Sequence, residues 1–315
     1  MTEQDTMQQK CNVCGESLAP LLPEVREPMT GEVFAIDRCP RCGLGHTVPQ
    51  PGDLGRYYAA QYYGNRHGLT ARYCTGRRLG FVKSVFPGSG GGRLLDIGCG
   101  DGSFLIGARS AGWQVAGTEL NPGPARDAGL EVYGTVEEFA GYALFDCITM
   151  WHTLEHMRDI PAMLANIAGL LKPEGRLIIA VPDFGGLQAR LFGPKWLHAD
   201  VPRHLYHFDR DSLRYSLNTS GFTILRRWHQ EIEYDLLGWS QSALNCIQAQ
   251  PNVFFDFLTG KRTKTGKPAR FSGVVLGALL TILSVPALMI GTLMKRGGTL
   301  IVVAARSGSD ASRTK

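Results

Sequence analysis

Residues 93–104, RLLDIGCGDGSF, constrain this chain more than any other segment. The apolar run Leu94-Leu95-Asp96-Ile97 meets glycines at 98, 100 and 102, and Phe104-Leu105-Ile106 then continues as a helix would. The pattern reads as a buried strand, a tight turn of residues without a Cβ, and a helix start. Such a turn lets a ligand approach the backbone closely, and the helix start offers unpaired N–H groups. The spacing is G-x-G-x-G, not the dinucleotide G-x-G-x-x-G. A second strand pattern, residues 113–120, brings Glu119 to its end, about 20 residues past the turn, where a ribose-binding carboxylate is expected.

The alternation continues downstream. A helix is expected from about Pro122, a short strand near 130–133, a strand over Phe145–Trp151 and a helix over 160–171. Lys172-Pro173-Glu174-Gly175 closes that helix before a fifth strand at 176–181. A βα series of this kind builds a mainly parallel sheet with helices on both faces, and strands at 222–228 and 299–304 bring it to seven. Ligands in such sheets bind outside the carboxyl ends of the strands. That gathers residues 98–102, Glu119, the turn at Gly134-Thr135 and the segment after Trp151 around one crevice.

Nearer the N-terminus, residues 11–15 read CNVCG and residues 39–43 read CPRCG. Each C-x-x-C-G can turn two thiolates toward one metal. Two such knuckles complete a tetrahedral zinc site from Cys11, Cys14, Cys39 and Cys42. A segment of about 45 residues buries little apolar surface, so the metal supplies folding energy. Four thiolates close the coordination sphere, which makes the site structural; a redox reading lacks a surrounding βαβ pattern. Cys74, Cys99, Cys147 and Cys246 read as small buried residues. This cysteine usage and the polar start MTEQDTMQQK, without a signal-peptide apolar run, fit a protein facing the cytosol. The balance of 33 basic to 28 acidic residues, a net +5, makes no case for nucleic acid.

The glycine turn with Asp96 and Glu119 resembles motif I and the following acid of the Rossmann-like S-adenosylmethionine-dependent methyltransferases. The zinc ribbon, the P-x-P at residues 49–51 and the paired tyrosines Tyr57-Tyr58 and Tyr62-Tyr63 resemble bacterial members with an N-terminal ribbon, many of which modify sugars, cell-surface glycans or related lipids. The resemblance covers nearly the whole chain. It implies an α/β fold whose seventh strand runs antiparallel between the fifth and sixth. It also implies S-adenosylmethionine as cofactor, held by Asp96, Gly98, Gly100, Gly102, Glu119 and Thr135. The family often places an acid after the third strand for adenine; here the turn reads Tyr133-Gly134-Thr135-Val136-Glu137, which leaves that contact to backbone or to Glu137.

After the fourth strand comes Trp151-His152-Thr153-Leu154-Glu155-His156. Alone, H-x-x-E-H matches an inverted zinc-protease motif, but it lies at a strand end downstream of a glycine turn. It resembles instead the L-E-H segment beside the transferable methyl, with His156 as the expected base and His152 as the alternate; either also suits a loop-fixing role. Residues 193–209, GPKWLHADVPRHLYHFD, resemble the family's stretch beside the acceptor pocket. Arg203 is expected to pair with an acceptor phosphate or carboxylate, with His204 and His207 beside it. A metal site from His198, His204 and His207 fits no strong spacing template, and Asp209 reads as a helix N-cap. Tyr58 and Tyr62 either face the acceptor or pack the small domain onto the large one.

Residues 271–294 carry no charge and are flanked by Lys261, Arg262, Lys264, Lys267 and Arg270 before and Lys295 and Arg296 after. The length passes a test for a spanning helix, yet the last strand must return to the sheet, so the segment is expected to lie on the inner face of the cell membrane without crossing it. Helices packed on the domain or on a second copy are the alternative, and Pro286 is expected to bend the segment into a shallow hairpin. The chain thus divides into a zinc ribbon (1–48), a linker and helical cap (49–92), a core (93–230), an insertion (231–297), a last strand (298–306) and a disordered tail (307–315). The function expected is methyl transfer to a sugar, glycan or lipid-linked small acceptor. An RNA methyltransferase and a non-catalytic scaffold stand as rivals.

Overall fold

The computed structural model describes residues 9–58, 71–87, 91–260 and 266–308. Tyr62, Lys261, Arg262, Lys264 and the tail from residue 309 lie outside them. In chain order, the ribbon contributes β1 (Ala19–Arg26), β2 (Val33–Arg38) and β3 (Gly45–Val48), and a long helix α1 (Ala71–Val85) follows. The alternating series is β4 (Arg93–Ile97), α2 (Ser103–Ser110), β5 (Gln114–Thr118), α3 (Gly123–Asp127), β6 (Glu131–Tyr133), β7 (Phe145–Trp151), α4 (Ile160–Leu170), β8 (Leu171–Pro182) and α5 (Leu187–Phe192). Then come β9 (Tyr206–His207), α6 (Arg210–Thr219), β10 (Phe222–Trp228), α7 (Ile232–Ile247), α8 (Val253–Leu258), α9 (Lys267–Leu283), α10 (Val285–Leu293) and β11 (Thr299–Arg306).

The seven-stranded sheet runs β10-β11-β8-β7-β4-β5-β6. The pairs among β4 to β8 are parallel, and β11 lies antiparallel between β8 and β10. This is the α/β, Rossmann-like arrangement expected from the sequence. The central strands read as continuous apolar runs because helices cover both faces; Cys147, Ile148 and Met150 of β7 and Leu177 to Val181 of β8 are buried. Caps set the helix starts. Asp159 accepts from the Ala162 amide at 3.0 Å, with Pro161 in the first turn of α4; Asp209 accepts from the Ser212 amide at 2.8 Å, the expected cap of α6. One boundary differs: Leu171 pairs with Phe145 and Arg176 with Cys147, so Lys172-Pro173-Glu174-Gly175 bulges from a longer strand.

The second sheet has four strands in the order β1-β2-β3-β9. Its last strand comes from far downstream, Gly45 pairing with His207 and His46 with Tyr206. Residues 49–52 are also tied down: Gln50 donates to the Leu205 carbonyl, and Arg158 donates to the carbonyls of Pro51 and Gly52. Cys74, Cys99 and Cys147 are buried as expected, but Cys246 is exposed near the end of α7.

The chain leaves the sheet at Trp228 and rejoins it beside the same residue, Trp228 pairing with Ile301. Between them α7 leads out and α9 with α10 leads back. Asp235 clamps the two ends, accepting from the Gly298 amide and the Thr299 hydroxyl at 3.0 Å each. No described helix is by itself long and apolar enough to cross a membrane; residues 268–293 form a pair bent by 42°. The bend is milder than the expected hairpin.

Candidate active site

The end of β4 and the glycine turn form one wall. Gly98 adopts φ 77°, and a Cβ there would stand 2.5 Å from Thr153 Oγ1, so only hydrogen fits between the turn and the segment after β7. Gly100, at φ 59°, faces open space where its Cβ would point. Its N–H donates to Glu119 Oε2 at 2.8 Å, and the Leu120 N–H donates to Oε1 at 2.9 Å. Each Glu119 oxygen thus accepts one backbone bond and retains a lone pair for a diol. Leu120, 78 % exposed beside it, offers an apolar surface to a base. Sequence reasoning passed over Leu120, whose only signal was its place directly after the strand-end acid. An open glycine cradle, a half-buried carboxylate and an apolar flank fit the methionine, ribose and adenine parts of S-adenosylmethionine.

Asp96 lies deeper than a cofactor contact requires. It is 2 % exposed, and its Oδ1 accepts from Thr149 Oγ1 at 2.6 Å, tying β4 to β7. Burial raises its pKa to about 7, against the opposing pull of Thr149 and Arg78. Gly102, at φ 80°, caps α2 and packs toward Leu130. The amides of Gly134 and Thr135 both donate to Glu138 Oε1 at 2.9 Å, and Glu137 accepts from Asn166, so that turn is internally bonded.

Opposite the glycine turn, His152 sits at the end of β7 with φ 52°, left-handed backbone rare for a non-glycine residue. Its Nε2 lies 2.7 Å from Glu231 Oε2, and its ring stacks on Tyr234 with centroids 4.3 Å apart. Burial would raise the pKa of Glu231, but the charge and hydrogen bond of His152, with Arg78 and Arg77, hold it down to about 2. Arg77 of α1 also binds Glu231 and Glu233. Arg78 stacks over Trp151, its guanidinium carbon 5.3 Å from the ring centroid. Glu231 and this arginine pair were missed as site residues; nothing local marks an acid after strand six as the partner of a histidine after strand four.

His156 donates from Nδ1 to the Arg203 carbonyl at 2.8 Å, and the Tyr58 hydroxyl lies 3.0 Å from the same nitrogen. His204 donates from Nδ1 to the His198 carbonyl at 2.9 Å, and its ring meets that of His156 edge to face with centroids 4.7 Å apart. Burial holds His204 neutral, its pKa lowered to about 3. Tyr58, His156 and His204 are therefore together. His207 is not with them: 3 % exposed, it bonds Thr47 of the ribbon through Nε2 at 2.9 Å. His198 faces the Tyr234 carbonyl, so the His198–His204–His207 grouping does not form.

Arg203 corrects the expectation of an acceptor-binding cation. Its side chain is 5 % exposed and bonds Asp200, Glu27 and the Tyr57 carbonyl. A buried guanidinium needs internal carboxylates, and these neutralise it before any acceptor arrives. It fastens the ribbon to the loop after α5.

In the ribbon, Cys11 and Cys42 sulfurs lie 3.5 Å apart and Cys14 and Cys39 sulfurs 3.4 Å apart, with all four within 4.8 Å of one another. Tetrahedral zinc with bonds of about 2.3 Å sets sulfurs about 3.8 Å apart, so the donors fit. The Gly15 and Gly43 amides donate to the Cys11 and Cys39 carbonyls at 2.9 and 3.0 Å, closing the two knuckles.

The profile of a methyltransferase-domain family matches residues 68–227, about half of the chain. Among curated relatives, the ubiquinone biosynthesis O-methyltransferase of Rhodopseudomonas palustris strain BisB5 is 27 % identical over 150 residues, covering 42 % of this chain and 58 % of that protein. Its counterpart in Alkalilimnicola ehrlichii is 31 % identical over 115 residues, covering 33 % and 47 %. The chain thus spans about half the length of these relatives. A solved SAM-dependent methyltransferase from Archaeoglobus fulgidus matches with 16 % identity and a TM-score of 0.46, covering 81 % of this chain and 100 % of that one. Phosphoethanolamine N-methyltransferase 2 of Haemonchus contortus matches with 20 % identity and a TM-score of 0.48, covering 74 % and 52 %. Matched by the family profile from the helix before the glycine turn to the sixth strand of the large sheet, the chain belongs to the methyltransferase-domain family.

Proposed function

We propose that the chain transfers a methyl group from S-adenosylmethionine to a hydroxyl of a sugar, glycan or other small acceptor on a lipid carrier, working at the inner face of the cell membrane. Bound against Gly98, Gly100, Glu119 and Leu120, the cofactor supplies a methyl already activated on a sulfonium. The protein's share is alignment and proton removal. Glu231 is ionised and accepts a hydrogen bond from the Nε2–H of His152, so the neutral ring carries its lone pair on Nδ1, 3.7 Å from Glu155 Oε1. We assign His152 as the base that takes the acceptor's proton, with Glu231 stabilising the imidazolium that results. The curated relatives are named as O-methyltransferases, which agrees with oxygen as the acceptor atom.

The observation that carries the membrane part is the outer face of α9 and α10. Phe271, Val275, Leu279, Ile282, Leu283, Met289 and Leu293 are each at least half exposed. The other face of α9 packs inward through Gly277, where a Cβ would stand 2.4 Å from Phe254. Arg270, Lys295 and Arg296 flank the apolar surface, matching anionic lipid. Flotation with vesicles of anionic phospholipid tests this: wild type should float and Leu279→Asp with Leu283→Asp should not. Equal behaviour of the two would overturn the membrane assignment. Isotope-labelled cofactor with cell-envelope extract should yield a labelled lipid-soluble product; label appearing only in RNA or in no product would overturn the acceptor class.

A further inference from the structure

Three residues beside the proposed base have no role in that reading. One ligand atom from each of Glu155, His156 and His204 lies within 4.8 Å of the other two. His204 Nε2 stands 3.9 Å from Glu155 Oε1. Both histidines have their Nδ1 on a backbone carbonyl, at Arg203 and His198, and a carbonyl only accepts. A proton on Nδ1 of each ring satisfies these carbonyls, with the Tyr58 hydroxyl as a second acceptor at the His156 nitrogen, and leaves the lone pair on Nε2. A histidine whose other nitrogen donates to a carbonyl is fixed in tautomer and orientation, the arrangement found behind metal-ligating imidazoles. Glu155 and His204 are also buried.

We propose that Glu155, His156 and His204 form a second metal site, distinct from the four cysteines, for a divalent first-row transition ion. Two imidazoles and one carboxylate suit manganese, cobalt, iron or zinc better than magnesium or calcium, and three protein donors leave positions open for water or a ligand oxygen. The loop after β7 carries two of the donors, and the same loop places Thr153 against Gly98. An acceptor hydroxyl bound to the ion would lose its proton more readily. That role rests on the methyl-transfer reading; the binding itself does not.

Manganese(II) titration of the full, zinc-loaded protein tests the site, read by calorimetry and by the manganese electron paramagnetic resonance signal. Manganese competes poorly for thiolate, so the ribbon does not interfere. Wild type should bind about one manganese per chain, and His204→Ala and Glu155→Gln should each weaken binding by about tenfold or more. Thermal melting and S-adenosylhomocysteine binding check that the variants are folded. No stoichiometric binding by wild type, or full binding retained in a folded His156→Ala, His204→Ala double variant, would overturn the site. Manganese binding that depends on these residues in a protein with no methyl-transfer product would uphold the site and overturn the proposed function.

Discussion

His152 Nε2 lies 2.7 Å from Glu231 Oε2 across 79 residues of sequence, joining the end of β7 to the residue that opens α7. The pair couples the parallel core to the insertion, so the base proposed for methyl transfer is oriented by the same segment that carries the exposed apolar helices. Glu231→Gln keeps the shape and removes the charge. Its turnover should fall by about 10²-fold or more, with cofactor affinity unchanged within about twofold. Single-turnover rates and calorimetry on the same preparation separate the two. A loss of affinity with intact turnover would make the pair a binding element.

Glu119→Ala should weaken S-adenosylmethionine binding about tenfold to a hundredfold, the loss of a charge-assisted contact of about 1.5–3 kcal/mol. Calorimetry with the folded variant reads this directly. Unchanged affinity would remove Glu119 from the cofactor site.

The cysteine cluster predicts zinc. Cys39→Ser with Cys42→Ser should lose about one equivalent of zinc relative to wild type by elemental analysis. Retention of that equivalent would place the metal elsewhere.

Arg203→Met leaves Glu27 and Asp200 without their cation. Removing one partner of a buried ion pair costs about 3–5 kcal/mol, so urea unfolding should shift by that order. S-adenosylmethionine affinity of the folded fraction should stay the same, since Arg203 is fully used inside. A variant of wild-type stability with a raised acceptor KM would restore the acceptor-binding role expected from the sequence.

Three carboxyls predict a pH dependence. Burial raises Asp96 and Asp183 to about 7 and Asp235 to about 8. Between the unfolded carboxyl pKa, near 4, and these values the native state holds protons that the unfolded state has lost, so stability falls as pH rises. Burial also lowers His198 to about 4 and His204 and His207 to about 3, and these act in the opposite sense below an unfolded pKa of about 6.5. The two groups offset one another in the acidic range. From about pH 6.5 to 8 the histidines have dropped out, and each carboxyl that stays protonated contributes a decline of about 1.4 kcal/mol per pH unit, against an opposing rise from the ribbon cysteines, which are thiolates when metal-bound and thiols in the unfolded chain. Urea unfolding across that window measures it, and Asp235→Asn should flatten the slope. An equal slope in the variant would assign the decline to other groups.

What could be read in advance was what is local. The glycine turn, β7, β10 and the Asp209 cap of α6 each follow from a few neighbouring residues, and each lies where the pattern puts it. The errors at the site are long-range. Arg203 resembles an anion-binding arginine until Glu27, 176 residues earlier, is seen to hold it. His207 reads like a site histidine because nothing nearby announces Thr47 as its partner. The bulge at residues 172–175 was hidden because Pro173 and Gly175 signal a turn equally well inside a strand's detour and between two elements. Cys246 shows the limit of composition: cysteine is usually buried, but this one lies exposed one residue before the end of α7.

The pairing of Gly45 with His207 has a consequence for how the molecule is made. During synthesis the four cysteines and three strands of the ribbon leave the ribosome early, and zinc can close the knuckles at once. The strand that completes their sheet emerges only after β4 through β8 have all been translated. Metal capture can therefore precede sheet closure, and the N-terminal unit keeps an open edge at β3 until β9 is made, while β10 and β11 of the large sheet are still to come.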